Sequence, residues 1–166
     1  MEIWCLDNFL HEEYIELLRK EIVNINWKFN GHSQNDRFLP TFWYKELKDS
    51  QCISIFKTYI ENSCEKEIEI DRIYMNGQAH SQSGFWHRDR EDFQKNTYTM
   101  VYFLNHWWPE YGGHLMIKTD DDVISFLPKE NRAVIFHSYM EHMGLEPSCY
   151  CKTQRESIAV KFKIQE

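Results

Sequence analysis

The stretch RESIAVKFKI, residues 155–164, decides the fold because its apolar side chains recur at every second position. Successive side chains of a β-strand point to opposite faces, so this alternation predicts a strand with one buried face. The apolar face carries Ile158, Val160, Phe162 and Ile164. The other face carries Arg155, Ser157, Ala159, Lys161 and Lys163. The C-terminal stretch is therefore expected to cover a core.

Five more segments between Cys64 and this strand are short and rich in β-branched and aromatic residues. They are IEIDRIYMN (68–76), NTYTMVYFLN (96–105), HLMIK (114–118), DVISFL (122–127) and RAVIFH (132–137). Turn residues bound them at Asn76-Gly77, Gly112-Gly113, 119–122 and 128–131. Closely spaced strands without intervening helices predict an antiparallel sandwich or barrel.

Before Cys64 the apolar residues follow a helical period instead. One helix is predicted from Asp7 to about Trp27, with Asp7 or Asn8 as its cap and Ile15, Leu18, Ile22 and Ile25 on one face. A loop through Asn30, Gly31 and Pro40 follows, and a second helix is predicted over Asp49–Ser63 with Ile53, Phe56 and Ile60 on one face. The sequence predicts one mainly β domain over 1–166: a helical part over about 1–63, covering a sheet, and a β core over about 64–166.

Composition limits the function classes. The chain has 166 residues, of which 42% are hydrophobic and 16% aromatic, as expected for a folded domain. A net charge of −7 makes broad nucleic-acid binding unfavourable. No apolar run is long enough to span a bilayer, the N-terminus lacks a signal peptide, and the five cysteines are an odd number. We therefore expect no membrane partner and a cytoplasmic location.

The stretch GFWHRDR contains a candidate metal-binding pair, His87 and Asp89. Two residues apart on a strand, these side chains share one face, with Arg88 directed away. A third ligand must come from a distant segment, and His142 is the best candidate, with His137 and His114 as alternatives. Two imidazoles and one carboxylate leave open positions that suit iron(II) binding a 2-oxo acid and dioxygen. The same set also suits catalytic zinc in a hydrolase, and a His-x-Asp pair also occurs by chance.

The polar face of the last strand offers a candidate anion site. Arg155 is followed at alternate positions by the small residues Ser157 and Ala159, which would leave room for a cavity. A guanidinium holds a carboxylate through two parallel hydrogen bonds, to which a serine hydroxyl could add a third. The alternative is that this face is solvated and that Arg155 is a surface charge.

These motifs together resemble the iron(II)/2-oxoglutarate-dependent oxygenases, specifically their prolyl 4-hydroxylase-like branch. The resemblance covers nearly the whole chain, in the family's order: WCLDNFLHEEYIELL, YMNGQ, GFWHRDR, TYTMVYFLNHWWPEYGGHL, FLPKENRAVIFHSYMEH and RESIAVKF. It implies a double-stranded β-helix, which is a distorted jelly roll, with the metal at one end. It also implies that His87, Asp89 and His142 bind Fe(II). Arg155 and Ser157 would hold the distal carboxylate of 2-oxoglutarate, and Tyr74 would line the cosubstrate site.

Two departures from the family pattern affect the site. Phe103 stands where many relatives have a tyrosine, which removes one hydroxyl near the cosubstrate. The segment between His142 and Arg155 is longer than in many relatives, and its residues PSCYCKTQ are expected to form a loop at the mouth of the site.

The resemblance implies a dioxygenase that hydroxylates a C–H bond with Fe(II), 2-oxoglutarate and dioxygen. By analogy the substrate is a prolyl residue of a peptide or protein, although a fold does not determine a substrate and a small molecule remains open. Arg88 and Trp108 are candidate substrate contacts near the expected mouth. The alternative hypotheses are a non-catalytic β-sandwich binding module and a zinc hydrolase on a similar barrel.

Overall fold

The structure, a computed structural model, describes residues 2–23, 26–33, 40–48 and 50–165. In chain order its elements are β1 (Ile3–Asp7), α1 (Glu12–Ile22), β2 (Lys28–Gly31), β3 (Phe42–Glu46), α2 (Ser50–Cys64), β4 (Ile68–Gln78), β5 (Thr97–Phe103), a short 3-10 helix (Pro109–Tyr111), β6 (Leu115–Lys118), β7 (Val123–Phe126), β8 (Arg132–His137), β9 (His142–Gly144) and β10 (Arg155–Ile164). All six strands predicted after Cys64 are present.

The strands form two antiparallel sheets. The larger has seven strands in the order β1-β8-β5-β10-β4-β3-β2, and the smaller has three in the order β7-β6-β9. An apolar layer lies between the sheets and consists of Val101, Phe103, Leu115, Ile117, Val134, Phe136 and Met140. This arrangement confirms the predicted mainly β fold, a double-stranded β-helix.

The two helices cover the outer face of the large sheet, as predicted. Ile15 and Leu18 of α1 and Phe56 and Ile60 of α2 are buried in the same apolar cluster as Ile158 of β10. Burial of such side chains is worth roughly 1.5–3 kcal/mol each. Strand β10 pairs with β4 and β5 along its two edges, and both of its faces are buried: Ile158 packs in the cluster under the helices, and Arg155 and Ser157 on the opposite face are also buried.

The start of the chain differs from the prediction. Residues Ile3–Asp7 form β1, which pairs with β8, and α1 begins only at Glu12 with His11 at its N-cap. Neither Asp7 nor Asn8 caps the helix, because the helix begins only at Glu12; Asp7 instead forms ion pairs with Arg132 of β8 and with Lys129, which precedes that strand. The expectation for Ile25 falls outside the described residues.

The predicted loop around Asn30 and Gly31 is also wrong, because β2 and β3 form a hairpin that extends the large sheet. Asn76-Gly77 is not a turn either. Strand β4 continues through it to Gln78, since Gly77 pairs with Trp43 of β3 on one side and with β10 on the other. A Cβ at Gly77 would lie 2.7 Å from Oε1 of Gln154, so a larger residue there would require that side chain to move.

Two further features bear on the expectations from composition. All five cysteines are free thiols. Among the described residues, no helix has both the length and the apolar character required to cross a membrane.

Candidate active site

A backbone bridge brings the two histidines together. The amide of His87 donates to the carbonyl of His142 at 3.0 Å, and the amide of His142 donates back to the carbonyl of His87 at 2.9 Å. This pairing places the imidazole centroids 4.3 Å apart. Two residues further on, the amide of Asp89 donates to the carbonyl of Ser138 at 3.0 Å, which holds the carboxylate beside both rings. The sequence-distant ligand candidates therefore meet through strand pairing.

The three side chains converge on one point. Nε2 of His87 lies 3.8 Å from Oδ1 of Asp89, and Nε2 of His142 lies 3.7 Å from Oδ2. Donor atoms from all three lie within 4.8 Å of one another, and within the described part of the chain no other group of three residues does so. The alternative ligand His137 instead stacks on Phe93 with centroids 4.8 Å apart.

Both imidazoles are held in the tautomer that a metal needs. Nδ1 of His87 lies 2.8 Å from the carbonyl of Phe85, and Nδ1 of His142 lies 2.9 Å from the carbonyl of Met140. A carbonyl only accepts hydrogen bonds, so Nδ1 carries the proton in each neutral ring and the Nε2 lone pair points toward Asp89. Two nitrogen donors and one carboxylate in this state fit Fe(II).

The Asp89 side chain is buried and accepts two hydrogen bonds, one from an ammonium group and one from a hydroxyl group. Nζ of Lys161 lies 2.6 Å from Oδ1, and Oγ1 of Thr99 donates to Oδ2 at 2.6 Å. Burial raises the pKa of Asp89, but the charges of His142 and Lys161 and these hydrogen bonds outweigh it and lower that pKa to about 2. Burial lowers the pKa of His142 to about 4. Asp89 and His142 are thus in their metal-binding protonation states near neutral pH.

Arg155 is a buried cation without an acidic partner. Its Nε donates to the carbonyl of Gly113 at 2.6 Å and its Nη1 to Oε1 of Gln78 at 2.8 Å, with Oγ of Ser157 at 3.4 Å. No described carboxylate forms an ion pair with it, and burial lowers its pKa to about 10. The guanidinium carbon lies 5.2 Å from the centre of the Phe103 ring. A desolvated positive charge of this kind favours an anionic ligand.

Two glycines lie against the Arg155 side chain, and the one at Gly113 is close enough that a Cβ would crowd it. A Cβ at Gly113 would lie 3.0 Å from Cδ of Arg155, and a Cβ at Gly144 would lie 3.4 Å from both Nη atoms. Gly113 also has a φ of +72°, in the left-handed region that other residues rarely adopt. Sequence reasoning did not assign Gln78, Gly113 or Gly144 to the site, although Gln78 lies in the quoted motif YMNGQ and Gly113 in the glycine pair.

One cavity of about 440 Å³ joins the histidine–aspartate cluster to Arg155. Its lining residues include Tyr74, Asn76, Gln78, Thr99, Ser157 and Lys161. Tyr74 packs against the ring of Tyr44 at 5.6 Å and under the guanidinium of Arg72 at 4.5 Å. Burial and the nearby charge of Asp89 raise the pKa of Tyr74 well above its usual value, so its hydroxyl stays protonated.

The two candidate substrate contacts have different positions. Arg88 lines the cavity at its exposed rim, where its guanidinium carbon lies 4.5 Å from the centre of the Tyr139 ring. Trp108 does not line the cavity: it is 56% exposed and packs edge-on against His106 with centroids 5.0 Å apart. It lies at the N-cap of the short 3-10 helix. The segment PSCYCKTQ (147–154), expected at the mouth, also contributes no residue to the lining.

Comparison with known families and structures identifies relatives of this site. A family model described as the 2OG-Fe(II) oxygenase superfamily matches residues 73–162, which is more than half of the chain. The matched range contains His87, Asp89, His142 and Arg155. No curated protein sequence matches the chain significantly.

Solved structures share the fold over nearly the full length. A prolyl hydroxylase from Trichoplax adhaerens, in complex with a hypoxia-inducible-factor peptide, is 15% identical with a TM-score of 0.72, covering 97% of this chain and 83% of that one. A prolyl-4-hydroxylase from Pseudomonas putida is 16% identical with a TM-score of 0.67, covering 99% and 92%. A viral collagen prolyl hydroxylase from Paramecium Bursaria Chlorella virus-1, in complex with 2-oxoglutarate, is 12% identical with a TM-score of 0.71, covering 100% and 97%.

Proposed function

Because the chain belongs to the 2OG-Fe(II) oxygenase superfamily, we propose that it hydroxylates a C–H bond of its substrate in the cavity between the two sheets. It is a 2-oxoglutarate-dependent dioxygenase, with Fe(II) as its metal and 2-oxoglutarate as its cosubstrate. The observation that carries the assignment of this cavity is a buried guanidinium, with no acidic partner among the described residues, in the same 440 Å³ space as the His-Asp-His cluster.

His87, Asp89 and His142 are the proposed ligands of Fe(II). Their support is the fixed Nδ1–carbonyl contacts of both rings, which leave two Nε2 donors, and the ionised carboxylate between them. When bound, Fe(II) supplies the redox chemistry that activates dioxygen with 2-oxoglutarate as the co-reductant. The protein's contribution is to set the donor geometry before either small molecule arrives.

Arg155 is the proposed anchor of the distal carboxylate of 2-oxoglutarate, and Ser157 adds a hydroxyl beside it. Hydrogen bonds to Gly113 and Gln78 fix two guanidinium nitrogens, so the side chain loses little further freedom when a carboxylate binds. Holding one end of the cosubstrate orients its keto acid end toward the ligand cluster. Tyr74, protonated and on the same wall, is a proposed hydrogen-bond donor to the cosubstrate.

The proposed oxidation target is a prolyl ring, and a prolyl residue of a peptide is the first substrate to test. The support is the fold shared with the prolyl hydroxylases named above. Arg88, exposed at the cavity rim and resting on Tyr139, is a proposed contact to the part of the substrate that stays outside.

Succinate release tests the function directly. Purified protein should convert 2-oxoglutarate to succinate only with Fe(II) and dioxygen, and a proline-containing substrate should stimulate the rate. Under anaerobic conditions, Fe(II) plus 2-oxoglutarate should give a weak visible charge-transfer band, which Asp89→Ala should abolish. Absence of both the band and substrate-free turnover in the wild type would overturn the proposal, and hydrolytic activity restored by zinc would favour a hydrolase instead.

A further inference from the structure

We infer that the substrate presents a carboxylate to Lys161, at the end of the cavity opposite Arg155. The inference rests on the proposed function, since it assigns the second half of the same cavity. It names a substrate class, one bearing an anionic carboxylate close to the oxidised carbon.

The strand β10 places a cation at each end of the cavity wall. Arg155 and Lys161 are on the same face of the strand, and at about 3.3 Å per residue their Cα atoms are roughly 20 Å apart. Ser157 and Ala159, both small, lie between them and keep the wall open. Asp89 contacts Lys161 directly, so the ligand cluster lies at the Lys161 end. If the cosubstrate spans from the cluster to Arg155, the space beside Lys161 remains for the substrate.

Over the cavity as a whole, the described lining residues carry more positive than negative charge. The cations are Arg72, Arg88, Arg155 and Lys161, and the single carboxylate is Asp89. Arg72 is already neutralised, because its Nε and Nη2 lie 2.8 and 2.6 Å from Oε1 of Glu46. Positive charge concentrated inside a chain whose net charge is −7 is not a consequence of its overall composition.

Lys161 has no described acidic partner other than the proposed metal ligand. Its side chain is 21% exposed, and its Nζ lies 2.6 Å from Oδ1 of Asp89 and 5.4 Å from the centre of the Tyr74 ring. A carboxylate that also binds a dication can neutralise the ammonium only partly. A half-buried ammonium then favours a second anion, and a substrate carboxylate would provide it.

The carboxylate could have two sources. It is either the free α-carboxylate of a small substrate such as L-proline, or the acidic side chain next to the target residue of a peptide. A cavity of about 440 Å³ is near the lower end of the 300–1,000 Å³ typical of ligand sites, and it must hold the cosubstrate as well. The substrate portion that enters is therefore small in either case.

Matched acid and amide pairs test the inference. L-proline is compared with L-prolinamide, and a peptide containing Asp-Pro with the same peptide containing Asn-Pro. Binding is measured by anaerobic calorimetry on protein loaded with Mn(II) and 2-oxoglutarate, and turnover by succinate release. At least one acid should bind roughly 10- to 100-fold more tightly than its amide, as expected for a charge-assisted hydrogen bond. The pair that responds identifies the source.

Variants then assign the preference to Lys161. Lys161→Met and Lys161→Gln should reduce the acid/amide ratio to about one, whereas Lys161→Arg should retain most of it. Lys163→Met is the matched control, because Lys163 is on the same strand but outside the cavity lining, with Asp71 at 3.9 Å. Two uncharged variants guard against one that folds poorly, and Mn(II) affinity reports any damage to the ligand cluster.

Two results would overturn the inference. One is a wild-type enzyme for which no acid exceeds its amide. The other is a Lys161→Met protein that loses affinity for acid and amide equally, because Lys161 would then act only through Asp89. Failure of the proposed function is distinguishable, since it would also remove substrate-free succinate release and the charge-transfer band from the wild type.

Discussion

Replacing Arg155 with methionine should weaken 2-oxoglutarate binding strongly while leaving the ligand-free protein at least as stable as the wild type. In the folded protein burial lowers the pKa of Arg155 from 12.5 to about 10. That difference corresponds to roughly 3 kcal/mol by which burial disfavours the charged guanidinium. A cation whose pKa is depressed on folding costs stability at every pH below about 10, and this cost disappears in the methionine variant. The variant loses in exchange the hydrogen bonds to Gly113 and Gln78.

The expected loss of 2-oxoglutarate affinity follows from leaving the carboxylate of the cosubstrate without its cationic partner. Removing one partner of a buried ion pair costs about 3–5 kcal/mol, which at about 1.4 kcal/mol per tenfold predicts a Kd for 2-oxoglutarate raised by roughly 100-fold or more. Arg155→Lys, which keeps the charge but not the planar fork, should fall between methionine and the wild type.

Anaerobic calorimetry with 2-oxoglutarate and thermal unfolding of the ligand-free protein measure the two effects separately. Arg132→Met is the control, because Arg132 pairs with Asp7 outside the cavity. It should lower the unfolding temperature and leave 2-oxoglutarate affinity unchanged. The reasoning is refuted if Arg155→Met lowers the unfolding temperature by as much as Arg132→Met while 2-oxoglutarate affinity stays within about threefold of the wild type.

Three further predictions concern the ligand cluster, the glycine turn and the acid stability. His142→Ala should lose bound Fe(II) by elemental analysis whereas His137→Ala should retain it, and the reverse pattern would move the third ligand. Gly113→Ala should cost about 1–2 kcal/mol of stability, because its φ is +72°, and should weaken 2-oxoglutarate binding, since the new methyl group would lie 3.0 Å from Cδ of Arg155. Hydrogen bonds from two basic side chains lower the pKa of Asp7 from 3.8 to about 2. The stability that ionised Asp7 contributes to the fold is therefore present above pH 3.8 and is lost as pH falls toward 2. Asp7→Asn should therefore be less stable than the wild type by up to about 1 kcal/mol at pH 7, because the pair is partly exposed, and the difference should disappear as pH falls through about 2; a constant difference across this range would contradict the assignment.

The sequence alone was sufficient to predict the elements in which one face is apolar and the other is polar. The alternation in RESIAVKFKI and the helical spacing of Ile15, Leu18 and Ile22 predicted a strand and a helix that the structure contains. It failed where neighbouring strands overrode local signals. Gly77 reads as a turn residue but lies inside β4, because pairing on both sides satisfies its backbone.

The local sequence pattern therefore determined which residue types were available to build the core and the site: alternating apolar residues, a His-x-Asp pair, a later histidine and an arginine followed by small residues. Tertiary structure decided which of them meet. His142 rather than His137 joins His87 because β9 pairs with the segment around His87, and strand pairing across 55 residues leaves no trace in local periodicity. Arg155 and Lys161 likewise lie inside a cavity because the small sheet covers their face of β10. The alternation of apolar and polar residues in the sequence indicates that the two faces of the strand differ, but it does not indicate what covers the polar face.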